Sequence, residues 1–204
     1  MILSRKKTMW SRVVLALVCL WPLLSMGGEK KPLPPLAAVA SLDVPRYMGT
    51  WYEIAKYPNR FQKDCVADTR ADYALMDDGR VQVINRCRQE NGEMDVANGV
   101  ARQEGGADSP RLKVRFAPAW LSFLPAVWGN YWVIDIDEAY RLVAVSEPKR
   151  EYLWILSRTP VVEPQRYAAL LERLAGKGFD LDRLEVTPQT RCADICIEYA
   201  FGTD

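Results

Sequence analysis

Histidine does not occur once among the 204 residues. Its absence removes Ser-His-Asp and Cys-His catalysis in their common forms. It also denies zinc its imidazole ligands, and no C-x-x-C pair offers thiolates in their place. The chain lacks any run of five or six like charges, so nothing marks a nucleic-acid footprint. No phosphate-cradling G-x-x-x-x-G-K-[ST] loop is present. Nothing recurs at a fixed period, which excludes solenoids and propellers. The expectation is a binding protein without catalysis, metal, cofactor or nucleic-acid partner. What is present is an ordinary globular balance, 49% hydrophobic and 26% charged residues, at a length that suits one full domain.

The amino terminus differs in kind. Arg5, Lys6, Lys7 and Arg12 accompany an apolar stretch from Val13 to Met26 that Pro22 interrupts. The stretch is short for a bilayer span. Ser25 and Gly27 place small residues three and one positions before a cut ahead of Gly28. Residues 1–27 therefore read as a secretory signal, with an uncleaved anchor helix as the alternative. Removing them takes away four basic and no acidic residues, leaving 23 against 26 and a net charge of −3. Cys19 would tether the chain to a membrane if lipidated, but Val18 is a poor neighbour for that processing. Four cysteines remain, Cys65, Cys87, Cys192 and Cys196. An even count in an exported chain reads as two disulfides in an oxidising compartment.

Residues 28–42 are proline-rich and aperiodic, as in an extended leader. Short alternating segments follow. "TRADYAL" and "VQVINRC" flank an Asp-Gly turn and read as a hairpin. "RLKVRF" sets Leu112, Val114 and Phe116 on one face and Arg111, Lys113 and Arg115 on the other. With "GTWYEIAKY", "MDVANGVAR", "YWVIDID", "YRLVAVS" and "YLWILSR", eight strands succeed one another. Tyr167, Leu170, Leu171 and Leu174 then recur at helical spacing, between Pro164 and Gly176 or Gly178. A short strand "RLEVT" precedes the cysteine-bearing tail. Pattern alone leaves a sandwich and a closed barrel open.

"GTWYEIAKYPNRF", "DDGRVQVIN", "YWVIDIDEAYRLVAV" and "YLWILSRTP" closely resemble the lipocalins, in particular the bacterial outer-membrane branch related to apolipoprotein D. G-x-W, the Asp137 to Tyr140 turn and Arg158 after a strand occur in the family's order and spacing, and the similarity runs from Val44 to Thr187. The resemblance implies an all-β fold, an eight-stranded antiparallel up-and-down β-barrel, closed at one end, with one C-terminal flanking helix. Residues 43–190 would form the barrel domain and 191–204 a tail. Gly49, Trp51 and Arg158 match the closed-end motif, where arginine packs over tryptophan.

In such a calyx the inward parity of Trp51 continues to Glu53, Ala55 and Tyr57. Tyr73, Val83, Val114, Phe116, Tyr131, Tyr152 and Trp154 would complete the lining. That lumen would take an acyl chain, at about 0.8 kcal/mol per buried methylene, unless its side chains fill it. Glu53 would meet a ligand headgroup or be satisfied by a nearby Arg or Tyr. "APAWLSFLPAVWGN" crosses the open end with Trp120, Phe123 and Trp128. It reads as a membrane contact or lid, or else as a fold over the mouth or a homodimer contact. Hairpin geometry would let Cys65 pair Cys87, leaving Cys192 with Cys196, while the resemblance to apolipoprotein D suggests Cys65 with Cys192. The functional expectation is a carrier or store for a fatty acid or lysophospholipid, in the periplasm or on the periplasmic face of the outer membrane. A tetrapyrrole or retinoid-like ligand is the alternative. An enzyme using a cavity thiol would need Cys65 or Cys87 unpaired.

Overall fold

The computed structural model describes residues 32–190. Cys19, Cys192, Cys196 and the signal and tail segments lie outside them. Eight strands run in sequence order, each antiparallel to the next: β1 (Gly49–Lys56), β2 (Cys65–Leu75), β3 (Val81–Gln89), β4 (Met94–Gln103), β5 (Arg111–Arg115), β6 (Gly129–Ile136), β7 (Leu142–Ser146) and β8 (Leu153–Ser157). β1 pairs with both β2 and β8, which closes the sheet into a barrel. Closure leaves no exposed edge along the paired strands.

The chain enters along the closed end. The end of the leader is packed: Leu36 and Leu42 are buried, and Val39 and Leu42 donate backbone bonds to Val133 and Asp108. α1 (Val44–Tyr47) follows, capped by Asp43 accepting from Arg46 N. This single turn was not foreseen; Pro45 in its first turn and the Asp43 cap are its sequence signals. It plugs the barrel bottom with Val44 and Tyr47.

α2 (Pro164–Gly176) begins where Glu163 accepts from Gln165 N and Arg166 N, 2.9 Å each. It ends at Gly178, whose φ of +85° closes the last turn. Leu170 and Leu174 press onto the outer wall, against Ala144, Leu153, Ile155 and Phe179. Arg173 fixes the angle with a two-pronged ion pair to Asp135, 2.9 Å on both arms.

One side of β1 is shared. β2 accompanies it only from Gly49 to Tyr52. Beyond that, β9 (Glu185–Val186) pairs with Ala55 and Lys56. Thr187 N donates to Ile54 O, and the Gln189 amide bonds both Glu53 O (2.8 Å) and Thr69 O (3.1 Å). The segment 185–190 thus fills a seam between β1 and β2.

Candidate functional site

Pleat parity separates two cores. Trp51, Tyr73, Val81, Val83, Leu112, Val133, Val143 and Val145 face inward. Ala55, Tyr57, Ile134, Ala144, Leu153 and Ile155 face outward under α2. Tyr57 is therefore not a lumen residue. Between Glu53 and Ala55 the β1–β8 register shifts by one, so Ile54 is an extra residue and the alternation reverses there. The Tyr57 hydroxyl instead donates to Asp180 O, and its ring meets Phe179 at 6.2 Å and the Arg183 guanidinium at 4.2 Å.

The closed end is occupied by structure. Trp51 is 0% exposed and donates through Nε1 to Tyr47 O, 2.8 Å away. Arg158 lies 3.9 Å above its ring and donates to Tyr140 O, Thr50 O and Arg46 O. Gly49 has φ +95°, and a Cβ there would come within 3.3 Å of Arg158 Nη1. Asp137 Oδ1 accepts from Arg141 N and Leu142 N, and Tyr140 at φ +57° accepts from Asp43 N.

Higher in the barrel, Tyr47, Tyr73 and Tyr131 converge. Tyr131 Oη lies 2.6 Å from Tyr47 Oη and 3.1 Å from Tyr73 Oη. Burial pushes the Tyr73 phenol up to about 12 and those of Tyr47 and Tyr131 well above their ordinary value. All three therefore stay protonated at neutral pH. Val83 is buried among them and Val114 packs alongside.

Glu53 is 2% exposed, and its carboxylate accepts from Thr187 Oγ1 and Gln62 Nε2, both at 2.6 Å. Neither an arginine nor a tyrosine satisfies it, as the sequence suggested one would. Burial raises its pKa, and the bonds from Thr187 and Gln62 offset only part of that. Gln62 also accepts from Trp154 Nε1 and Asn59 Nδ2, 2.8 Å each. A loop residue thus joins the lumen wall to the first strand. No alternation rule could have flagged Gln62 or Thr187, because their roles depend on chain segments far apart in sequence.

The mouth is aromatic. Tyr152 stacks on Trp154 at 5.7 Å and meets Phe61 at 5.7 Å. Phe116 is 44% exposed, its ring so close over Gly99 that a Cβ there would meet it at 2.8 Å. The apolar loop forms two 3-10 turns, Ala119–Leu121 and Pro125–Val127. Trp120 and Phe123 project, 72% and 74% exposed. Trp128 does not: its indole lies 4.4 Å from the Arg102 guanidinium and 5.3 Å from that of Arg115. Cys65 and Cys87 are bonded to each other beside this mouth, with Cα atoms 5.5 Å apart.

A closed β-barrel with a plugged floor and an aromatic mouth defines a small-molecule-binding calyx. The chain belongs to the lipocalin family: the model described as "Lipocalin-like domain" matches residues 42–189. Lipocalins bind small apolar ligands and are generally binding or transport proteins. Temperature-induced lipocalin-1 of Arabidopsis thaliana is 42% identical over 164 residues, 79% of this chain and 86% of that protein. Outer membrane lipoprotein Blc of Escherichia coli K12 is 37% identical, over 74% of this chain and 83% of that one. Apolipoprotein D of mouse is 32% identical, over 81% and 85%. Insecticyanin of the tobacco hornworm Manduca sexta shares the fold at TM-score 0.59 and 19% identity, over 76% and 85% of the two chains.

Proposed function

We propose that this protein carries or stores a single-chain lipid, a fatty acid or a lysophospholipid, without chemistry. The observation that carries the reading is the composition of the lumen above the floor. Trp154, Val114 and Phe116 offer apolar wall; Trp154, Val114 and Tyr131 are half-buried and Phe116 is exposed. Burying an acyl chain against such a wall contributes about 0.8 kcal/mol per methylene. Kinship with Blc, an outer membrane lipoprotein, supports an envelope location, with export by residues 1–27.

Trp120 and Phe123 are the side chains that would touch a membrane surface while ligand transfers, since tryptophan and phenylalanine partition to that depth. A thiol enzyme is disfavoured because Cys65 and Cys87 are bonded to each other. Native mass spectrometry of protein purified from its own host tests the reading. A co-purified acyl species is expected. A barrel that is always empty, and that takes up no lipid on incubation, would overturn it.

A further inference from the structure

The phenol cluster has one hydrogen too many. Three hydroxyls carry three protons, and the two bonds at Tyr131 spend two of them. No other acceptor among the described residues takes the third. Tyr47 and Tyr73 are 2% and 9% exposed, while Tyr131 is half-buried. With Tyr47 and Tyr73 both donating to it, Tyr131 is left with its own proton to offer into the lumen.

Two unpartnered oxygens stand above Tyr73. Asn85 faces inward opposite Ala71, one inward step above Tyr73 and so roughly 7 Å along the strand. Its Oδ1 is shielded from solvent and has no donor. Thr69, 7% exposed, lies a further step up with its Oγ1 likewise unpartnered. A buried polar atom without a partner is costly, so each favours a ligand that supplies one. None of these groups is charged. Arg158, the guanidinium at the floor, already spends all three nitrogens on backbone oxygens. A phosphate or a bare carboxylate would find no free cation there.

We infer that the lumen takes its lipid polar end first, seating a small neutral oxygen between Tyr131 and Asn85. An alcohol or a protonated carboxyl, which accepts from Tyr131 and donates to Asn85, fits, and the hydrocarbon runs up toward Trp154 and Phe116. This rests on the lipid-carrier reading and narrows it toward fatty-acid-like ligands. A lysophospholipid has to enter chain first and leaves the donor and both oxygens unpaired.

Displacement of N-phenyl-1-naphthylamine from the delipidated protein tests it, using 1-hexadecanol against lysophosphatidylcholine of equal chain length. Hexadecanol is expected to act at about tenfold lower free concentration. Asn85→Leu removes an oxygen that makes no bond, and Tyr131→Phe removes the donor. Each should narrow the preference to about threefold or less. Equal displacement by both lipids, or a preference unchanged in the variants, overturns the orientation and leaves a lipid site standing. Displacement by neither lipid overturns the lipid-carrier reading itself. Should Tyr131→Phe melt early, because Tyr47 and Tyr73 lose their shared partner, Asn85→Leu carries the result.

Discussion

Glu53 is held by two short hydrogen bonds in a place where ionisation is unfavourable. Its folded pKa is raised from the ordinary 4.5, chiefly by burial. Between 4.5 and that raised value the folded chain binds more protons than the unfolded one. Stability from this group therefore falls as pH rises across the window and is level above it. Glu53→Gln should remove that slope. The difference in melting temperature between variant and parent, followed from about pH 4 to pH 7, is expected to shift in the variant's favour. A difference constant with pH would contradict the assignment. Arg158 makes the opposite kind of contribution, to the fold alone. Arg158→Gln loses the stack on Trp51 and three backbone acceptors, for about 2–4 kcal/mol in urea denaturation. Probe affinity in the lumen should not change. The Trp51–Arg158 pair was legible in sequence because family motifs mark it. The partners of Glu53 were not, since Gln62 lies in a loop and Thr187 arrives from 134 residues away.

At the scale of elements, periodicity identified all eight strands and the helix, because successive strand residues face the lumen and the outer wall in turn and one helix face packs on that wall. It failed where one residue was added. The extra Ile54 in β1 sends Tyr57 under α2, and nothing local in "EIAKY" announces that. The mouth loop shows a second limit. Its apolar content was plain in sequence, but not which rings would turn back. Trp128 lies against the guanidinium groups of Arg102 and Arg115, while Trp120 and Phe123 stand out. If the loop meets a bilayer, Trp120→Ser/Phe123→Ser should reduce co-sedimentation with vesicles about tenfold or more. Trp128→Ser should reduce it little. Unchanged partitioning in the double variant would exclude the membrane contact. Leu174→Ala, at the centre of the helix contact, should cost about 2–5 kcal/mol and leave vesicle binding intact.

For the whole molecule, two closures hold the barrel's mouth. One is covalent. Cys65–Cys87 joins β2 to β3, and its removal as Cys65→Ser/Cys87→Ser should cost about 3 kcal/mol on loop-entropy grounds. Peptide mapping without reductant should recover that pair; a Cys65–Cys192 peptide would restore the alternative pairing. Hairpin geometry suggested one pairing and the resemblance to apolipoprotein D the other, and the positions of β2 and β3 bring Cys65 to Cys87. The other closure is the segment 185–190, hydrogen-bonded between β1 and β2 through Thr187, Gln189 and Asp68. It is a stave laid in from outside the hoop of eight consecutive strands. A chain ending before residue 183 should therefore accept a synthetic peptide of the missing residues, and split complementation would report on whether the lumen is open or shut.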